Sequence, residues 1–264
     1  EQYAVYSDIV KKLKGKQITI RTVDLGVDKN PRWFGQNGTP NGSLNPALGL
    51  TGIRLCLAEP MMFRCQMRAI LRAAVHGKIR MMWPMIASIS ELKQCIIHLD
   101  TARRQLTERG VAFGEVSVGC MIEIPSAALT VSSLLKHVDF ISIGTNDLIQ
   151  YTLSVDRADD AVSHLYQAEH PAVLRLISHV IKTANRANKS VSVCGEMAGD
   201  VQFTRLLLGM GLRRFSMNTN NLLAVKDVII HSDLNQLETA ALKVLRSEDP
   251  DKNDKLLKTL NQMV

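Results

Sequence analysis

The sequence predicts an α/β fold with a parallel sheet, because short apolar segments alternate with amphipathic segments along most of the chain. Several of the apolar segments are hydrophobic almost without interruption, which is typical of strands covered by helices on both faces. About six segments have the length and composition of such strands. They are residues 17–26, 77–86, 115–125, 139–147, 190–200 and 213–218.

The segments between these strands carry apolar residues at the spacing that predicts amphipathic helices. We expect helices at 1–16, 59–76, 90–109, 126–136, 171–187 and 201–209, and further helices beyond residue 218. Residues 30–49 are instead rich in Gly, Pro and Asn, and they predict a long loop. A loop of this length is more often functional than a plain connection.

Residues suited to chemistry follow nearly every predicted strand. They are Arg21, Asp24, Glu123, Asn146, Asp147, Cys194, Glu196 and Asn218. Functional side chains at the C-terminal ends of successive parallel strands are the layout of a (β/α)8 TIM-type barrel. Because only about six of the eight strands are visible, we expect a single barrel domain over residues 1–264 that lacks its first strands. On this interpretation the sequence is the C-terminal part of a longer protein.

Composition and charge disfavour several other classes of protein. The formal net charge is +7, but the lysines and arginines are scattered and only 5% of the residues are aromatic, so we expect no nucleic-acid partner. No apolar run approaches the roughly 20 residues that span a bilayer, so we expect no membrane association. The five cysteines form no C-x-x-C pair, which indicates a reducing cytoplasm and disfavours disulfides or structural zinc.

The segment 141–160 carries the densest set of polar side chains. It predicts a short buried strand followed by a polar loop that holds Asn146, Asp147 and Arg157. A carboxylate at the C-terminal end of a strand suits a hard divalent cation, and a nearby guanidinium suits a phosphate or carboxylate ligand. The segment therefore predicts a site for a metal ion and an anion.

Six motifs in this order resemble the C-terminal phosphoenolpyruvate-binding domain of Enzyme I, the phosphoenolpyruvate–protein phosphotransferases of bacterial sugar uptake. The motifs are RTVDLGVDK (21–29), NPALGLTGIR (45–54), MIEIPSAA (121–128), GTNDLIQYTLSVDR (144–157), SHLYQ (163–167) and CGEMAGD (194–200). The wider family includes pyruvate phosphate dikinase and phosphoenolpyruvate synthase. The sequence is similar both to the sugar-transport branch and to its nitrogen-regulatory paralogue, and both branches stay open.

The resemblance implies a barrel that binds phosphoenolpyruvate and Mg²⁺ and forms a homodimer. By position, Glu123 and Asp147 would hold the metal ion, and two carboxylates with substrate oxygens and water make a reasonable magnesium site. Asn146 and Asp147 would contact the substrate, and Arg21 and Arg157 would neutralise its phosphate.

The resemblance also implies the rest of the reaction. Cys194 would be the catalytic acid that protonates the enolate to give pyruvate. The phosphoryl acceptor would be a histidine on a separate N-terminal domain of the same protein, which then passes the group to a histidine phosphocarrier protein. We therefore expect a cytoplasmic phosphotransferase that is incomplete without the phosphohistidine domain.

One motif departs from the family pattern, which reads roughly N-P-x-L-G-x-R-x-x-R. The chain has Thr51 at the first arginine position and Arg54 at the second. Threonine cannot replace a bidentate cation on a phosphate. A weakened module that senses phosphoenolpyruvate or dimerises therefore stays open as an alternative. A lyase or aldolase on a related pyruvate or phosphoenolpyruvate barrel, with the same metal and enolate chemistry, is a further alternative.

Overall fold

The computed structural model of the chain describes residues 1–24 and 46–262. Most of the loop predicted at 30–49 and the end of the strand predicted at 17–26 lie outside the described residues. The chain divides into two compact units. The first contains Glu1–Met121 and His137–Asp139, and the second contains Ile122–Lys136 and Phe140–Val264.

The described residues form five strands in sequential order. They are β1 (Ile18–Arg21), β2 (Ile79–Trp83), β3 (Val116–Ile122), β4 (Phe140–Gly144) and β5 (Ser190–Cys194). The pairs β1–β2 and β2–β3 are parallel, and so is the pair β4–β5 in the second unit. The predicted α/β class with a parallel sheet is confirmed.

The strand predicted at 213–218 is wrong as a regular strand. In the described part of the chain, Phe215 forms an isolated parallel bridge with Val193. Val193 donates its amide to the carbonyl of Arg214 at 3.2 Å and accepts from the amide of Ser216 at 2.9 Å. These two hydrogen bonds, both made by Val193, hold the segment beside β5 as an isolated bridge and not as a further strand.

The helices of the first unit include α1 (Gln2–Lys12), α2 (Gly52–Ala58), α3 (Pro60–Ala73) and α4 (Ile89–Glu108). Three of them were predicted to within a few residues, whereas α2 was not. Helix α4 begins at a capping box, in which Ser88 accepts from the amide of Glu91 while the Glu91 carboxylate accepts from the amide of Ser88. This reciprocal cap explains why the predicted start at residue 90 is nearly right.

The described helices of the second unit include several short ones. They are α5 (Pro125–Leu129), α6 (Val131–Leu134), α7 (Thr145–Leu153), α8 (Pro171–Arg186), α9 (Glu196–Gly199), α10 (Val201–Gly209), α11 (Leu222–Ile230), α12 (Leu234–Arg246) and α13 (Pro250–Asn261). The single helix predicted at 126–136 is wrong. It breaks at Thr130, where φ is −105° and ψ is 17°, and the Thr130 hydroxyl donates to the carbonyl of Ser126.

Each unit buries its own apolar core. In the first unit, Phe63 and Met67 on α3 and Trp83 on β2 have at most 1% of their surface exposed. In the second, Ile143 on β4 and Ile177 on α8 are fully buried. None of the helices that the structure describes has the length and apolar character that a membrane crossing requires.

Candidate functional site

The ends of β4 and β5 bring most of the predicted site residues together in the second unit. The parallel register pairs Phe140 with Ser190 and Gly144 with Cys194, so the two strands end at the same level. Helix α7 begins directly after β4, and α9 begins two residues after the end of β5. The predicted loop after β4 is therefore wrong at its start, because Asn146 and Asp147 lie on the first turn of α7.

Hydrogen bonds join the two strand ends. The Thr145 hydroxyl donates to the carbonyl of Cys194 at 2.9 Å. The Asn146 side-chain oxygen accepts from the amide of Glu196 at 2.9 Å, and its Nδ2 donates to the Glu196 carboxylate at 3.4 Å. Since Asn146 is held at both ends of its amide, its side chain has a fixed orientation across the strand ends.

Gly195 makes this close approach possible. Its φ of +97° with ψ of −172° belongs to a region of backbone space that is essentially restricted to glycine. A Cβ at this position would lie 2.5 Å from the Thr145 hydroxyl oxygen and 2.7 Å from Asn146 Oδ1. The glycine of the CGEMAGD motif is therefore required by the contact between the two strand ends.

Asp147 and Arg157 form a loose ion pair beside this contact. Asp147 lies in the first turn of α7, where the partial positive charge of the helix N-terminus favours a carboxylate. Arg157 Nη2 lies 3.7 Å from Asp147 Oδ1, and the two side chains are 42% and 27% exposed. Because exposed ion pairs contribute little to stability, both groups can exchange this contact for a ligand at small cost.

Arg157 reaches Asp147 because the chain turns sharply after α7. Ser154, directly after the last residue of α7, has a left-handed φ of 56°. The backbone amide of Arg157 then donates to the Gln150 side chain at 3.2 Å. The chain that follows α7 therefore folds back along that helix.

Tyr166 belongs to this cluster and was missed, although it stands in the SHLYQ motif. Its hydroxyl donates to the carbonyl of Asn146 at 3.1 Å. Burial raises the pKa of Tyr166 to about 12; the Glu196 and Asp147 carboxylates add to this rise, and the Arg157 guanidinium opposes it. The phenol is therefore neutral in the ordinary pH range and acts as a hydrogen-bond donor.

Glu123 follows β3 and is fully buried. It belongs to the second unit and precedes Pro125, the first residue of α5. An ionised carboxylate without solvent needs a cation or hydrogen-bond donors. The described residues contain no group of three or more His, Cys, Asp and Glu side chains that could hold a metal ion.

Cys194 is the last residue of β5 and is partly exposed. The Ser142 hydroxyl donates to its sulfur at 3.3 Å, and the thiol donates to the carbonyl of Ile143 at 3.4 Å. The predicted acid is thus positioned on both sides by groups of β4.

Arg21 belongs to the first unit. Its guanidinium pairs with Asp24 at 2.9 Å and is 45% exposed. The Gln66 side chain holds the backbone at the end of β1. It accepts from the amide of Val23 at 2.9 Å and donates to the carbonyl of Arg21 at 3.5 Å. The end of β1 is therefore fixed independently of any ligand.

One sequence motif departs from the family pattern, and its residues Thr51 and Arg54 also belong to the first unit. Thr51 precedes α2, and among the described residues its side chain makes no capping hydrogen bond to that helix. Arg54 Nη1 donates to the carbonyl of Leu48 at 2.9 Å. This contact closes the turn before α2, which is a structural role for Arg54.

Residues 1–234 match the family described as PEP-utilising enzyme, PEP-binding domain. The chain belongs to this family. The resemblance found in the sequence motifs is confirmed, and most of those motifs lie within residues that the structure describes. The family match covers all six predicted site residues, in both units.

Individual relatives share the same name. The chain is 49% identical over 261 residues to a phosphoenolpyruvate-protein phosphotransferase of Cupriavidus necator, covering 98% of this chain and 44% of that protein. It is 42% identical over 246 residues to the same enzyme of Bacillus subtilis, with coverage of 93% and 42%. The chain thus spans less than half the length of these relatives.

Solved structures give more distant likenesses. A citrate lyase from Burkholderia xenovorans has a TM-score of 0.48 and 19% identity, with 75% of this chain and 68% of that chain covered. An HpcH/HpaI aldolase from Desulfitobacterium hafniense has a TM-score of 0.41 and 15% identity, with coverage of 83% and 93%.

Replacing Gly195 should disturb the site more than replacing a glycine in open space. We expect Gly195→Ala to lower the free energy of unfolding by about 2 kcal/mol more than Gly110→Ala, because backbone strain and steric overlap add. Gly110 also has a positive φ, of +63°, but a Cβ there meets nothing within 4 Å. Urea denaturation of both variants measures the difference, and equal losses would contradict the close approach.

The high pKa of Tyr166 predicts a loss of stability in alkali. Its folded-state pKa of about 12 exceeds the unfolded value of about 10, so the folded state retains a proton that the unfolded state releases. This contribution is complete below about pH 10 and is lost as the pH rises towards 12. We expect Tyr166→Phe to flatten the dependence of unfolding free energy on pH in this window, and an unchanged slope would refute the assignment.

Proposed function

We propose that the chain binds phosphoenolpyruvate and supports transfer of its phosphoryl group to a histidine on a separate domain, with release of pyruvate. The observation that carries the proposal is the joined end of β4 and β5 in a member of a PEP-binding family. These strand ends carry an amide, a carboxylate, a guanidinium and a thiol, held by hydrogen bonds and by the Asp147–Arg157 ion pair.

The residues present suit a magnesium ion. Mg²⁺ in proteins is usually held by one or two carboxylates together with substrate phosphate oxygens and water. Glu123 is a fully buried carboxylate, and Asp147 is a partly exposed one at a helix N-terminus. We assign these two residues to the metal, which when bound would neutralise negative charge on the substrate.

The remaining polar groups suit the phosphate. Arg157 is half-exposed and only loosely paired, so its guanidinium can turn from Asp147 to a phosphate and bind it with two parallel hydrogen bonds. An amide carries two N–H donors, and one of those on Asn146 Nδ2 is used by Glu196. We assign the other to a substrate oxygen. Arg21 keeps the phosphate-binding role that the family resemblance implies for it.

Cys194 is the proposed acid. When the phosphorus–oxygen bond of phosphoenolpyruvate breaks, the phosphoryl group passes to the acceptor histidine and an enolate remains. The Cys194 S–H bond then breaks as a carbon–hydrogen bond forms on the enolate, which gives pyruvate and a thiolate. Solvent restores the proton to the sulfur after product release.

The chain in this proposal is part of a larger assembly. We propose a homodimer of cytoplasmic proteins built on one (β/α)8 barrel domain, with a phosphohistidine on a separate N-terminal domain and a histidine phosphocarrier as the next acceptor. The relatives named phosphoenolpyruvate-protein phosphotransferase support this interpretation. Sugar transport and nitrogen regulation are both compatible with it.

Calorimetric titration of the chain with phosphoenolpyruvate tests the binding step. We expect binding that strengthens with Mg²⁺, and we expect Asp147→Asn to weaken the Mg²⁺-dependent affinity by about tenfold or more, about 1.4 kcal/mol. Asp160→Asn is the matched control, because it removes the same charge from an exposed position nearby. Absence of binding with Mg²⁺ would overturn the proposal.

Thr51 supports a second candidate, a module that senses phosphoenolpyruvate with weakened transfer. On this view Thr51→Arg should tighten phosphoenolpyruvate binding by about tenfold, because a guanidinium adds a bidentate phosphate contact. Thr51→Gln lengthens the side chain without a charge and should not. Reconstitution with the N-terminal domain and phosphocarrier of a relative then measures pyruvate release. Unchanged affinity and turnover in Thr51→Arg would show that this position does not limit the reaction.

A further inference from the structure

A line of hydroxyl groups leads to the sulfur of Cys194 along the β4–β5 pair. Ser192 and Ser142 are register partners, and the Ser192 hydroxyl donates to Ser142 Oγ at 3.1 Å. The Ser142 hydroxyl donates in turn to Cys194 Sγ at 3.3 Å. Ser192 and Cys194 are two residues apart on one strand, so their side chains lie on the same face of β5.

Ser142 is unusual for its position. It is 4% exposed, and all five residues of β4 are buried. A hydroxyl has a single hydrogen to donate. Ser142 gives this hydrogen to the sulfur while it accepts from Ser192, so the direction of the line runs from Ser192 through Ser142 to Cys194.

Two hydrogen bonds of the sulfur favour opposite protonation states. The carbonyl of Ile143, 3.4 Å from Sγ, accepts the thiol proton and so stabilises the protonated form. The Ser142 hydroxyl stabilises a negative charge on the sulfur, because hydrogen bonds to a charged form favour that form. A proton donor needs both, since it must hold its proton before the reaction and tolerate the charge afterwards.

We propose that Ser142 is a positioning residue that stabilises the Cys194 thiolate after proton transfer, with Ser192 orienting the Ser142 hydroxyl. The inference rests on the proposed role of Cys194 as the acid. It adds Ser142 on β4 and Ser192 on β5 to the residues of the site. It also explains why a hydroxyl is buried within an otherwise apolar strand.

Other charged groups at this end of the strands do not distinguish the variants below. Helix α9 carries Glu196, α7 carries Asp147, and Arg157 follows α7 and pairs with Asp147. Helix α8 buries apolar residues, among them Ile177 and Val180. These groups are unchanged in each serine variant, so a difference from the parent chain reports the hydroxyl.

The rate at which iodoacetamide alkylates Cys194 tests the proposal, because the thiolate is the reactive form. The reaction is followed by peptide mass spectrometry on the full chain, with chelator present, from about pH 6 to about pH 10 around the usual thiol value. Cys65 is also exposed and is resolved as a separate peptide. We expect Ser142→Ala to raise the apparent pKa of Cys194 by about one unit. At pH values below this pKa, the rise lowers the thiolate fraction about tenfold.

Three further variants separate a hydroxyl effect from a packing effect. Ser192→Ala should give a smaller rise of the Cys194 pKa, Ser142→Thr should retain the parent profile, and Ser178→Ala should have no effect. Ser178 is a buried serine of the same unit on α8, 5% exposed. If Ser142→Ala does not fold, Ser192→Ala and Ser142→Thr decide the matter on the same readout.

An unchanged Cys194 profile in the folded Ser142→Ala variant would overturn the inference, as would equal shifts in Ser142→Ala and Ser142→Thr. Phosphoenolpyruvate binding is measured separately on the same proteins. Loss of binding with an intact serine effect would refute the proposed function alone, and normal pyruvate release without a serine effect would refute this inference alone.

Discussion

The register of β4 on β5 is the constraint on which the candidate site depends. Because Gly144 is paired with Cys194, the residues that follow the two strands meet at one level. Thr145 can then bond to the carbonyl of Cys194, and Asn146 to Glu196. A shift of one residue would turn the side chains of β4 to the opposite face and would separate Ser142 from the sulfur.

This constraint explains why the site combines rigid and adjustable groups. Asn146 and Cys194 are held by hydrogen bonds between the strand ends, which leave them little freedom. Asp147 and Arg157 are held by a long ion pair near solvent, which leaves them free to exchange partners. A ligand with several negative oxygens can therefore recruit the mobile charges without disturbing the groups that stay in place.

The strands and most of the site residues were predictable from the sequence because they depend on local pattern. The short apolar segments at 139–147 and 190–200 predicted β4 and β5, and the polar residues near their ends were evident. The weak point was the transition from strand to helix. Nothing in the polar run from Thr145 onward predicted that α7 begins at once, and helix propensity is too small a term to decide it.

The groups that were missed depend on contacts between distant parts of the sequence. Tyr166 reaches Asn146 across 20 positions and Ser142 reaches Cys194 across 52. Each is an ordinary polar residue within its own segment of sequence. Its hydrogen-bond partner is evident only in the folded structure. The break at Thr130 has a local cause, but a hydroxyl that bonds to the preceding turn competes with a continuous helix only when tertiary packing favours it.

The length of α7 fixes the distance and direction between the two charges of the site. Asp147 lies in its first turn, and Arg157 returns from beyond its last residue, Leu153. Each residue of an α-helix turns the chain by about 100°. One residue more or fewer in this nine-residue helix would carry the returning segment to another side of its axis. The helix thus acts as a spacer whose residue count, as much as its composition, sets where the positive charge stands.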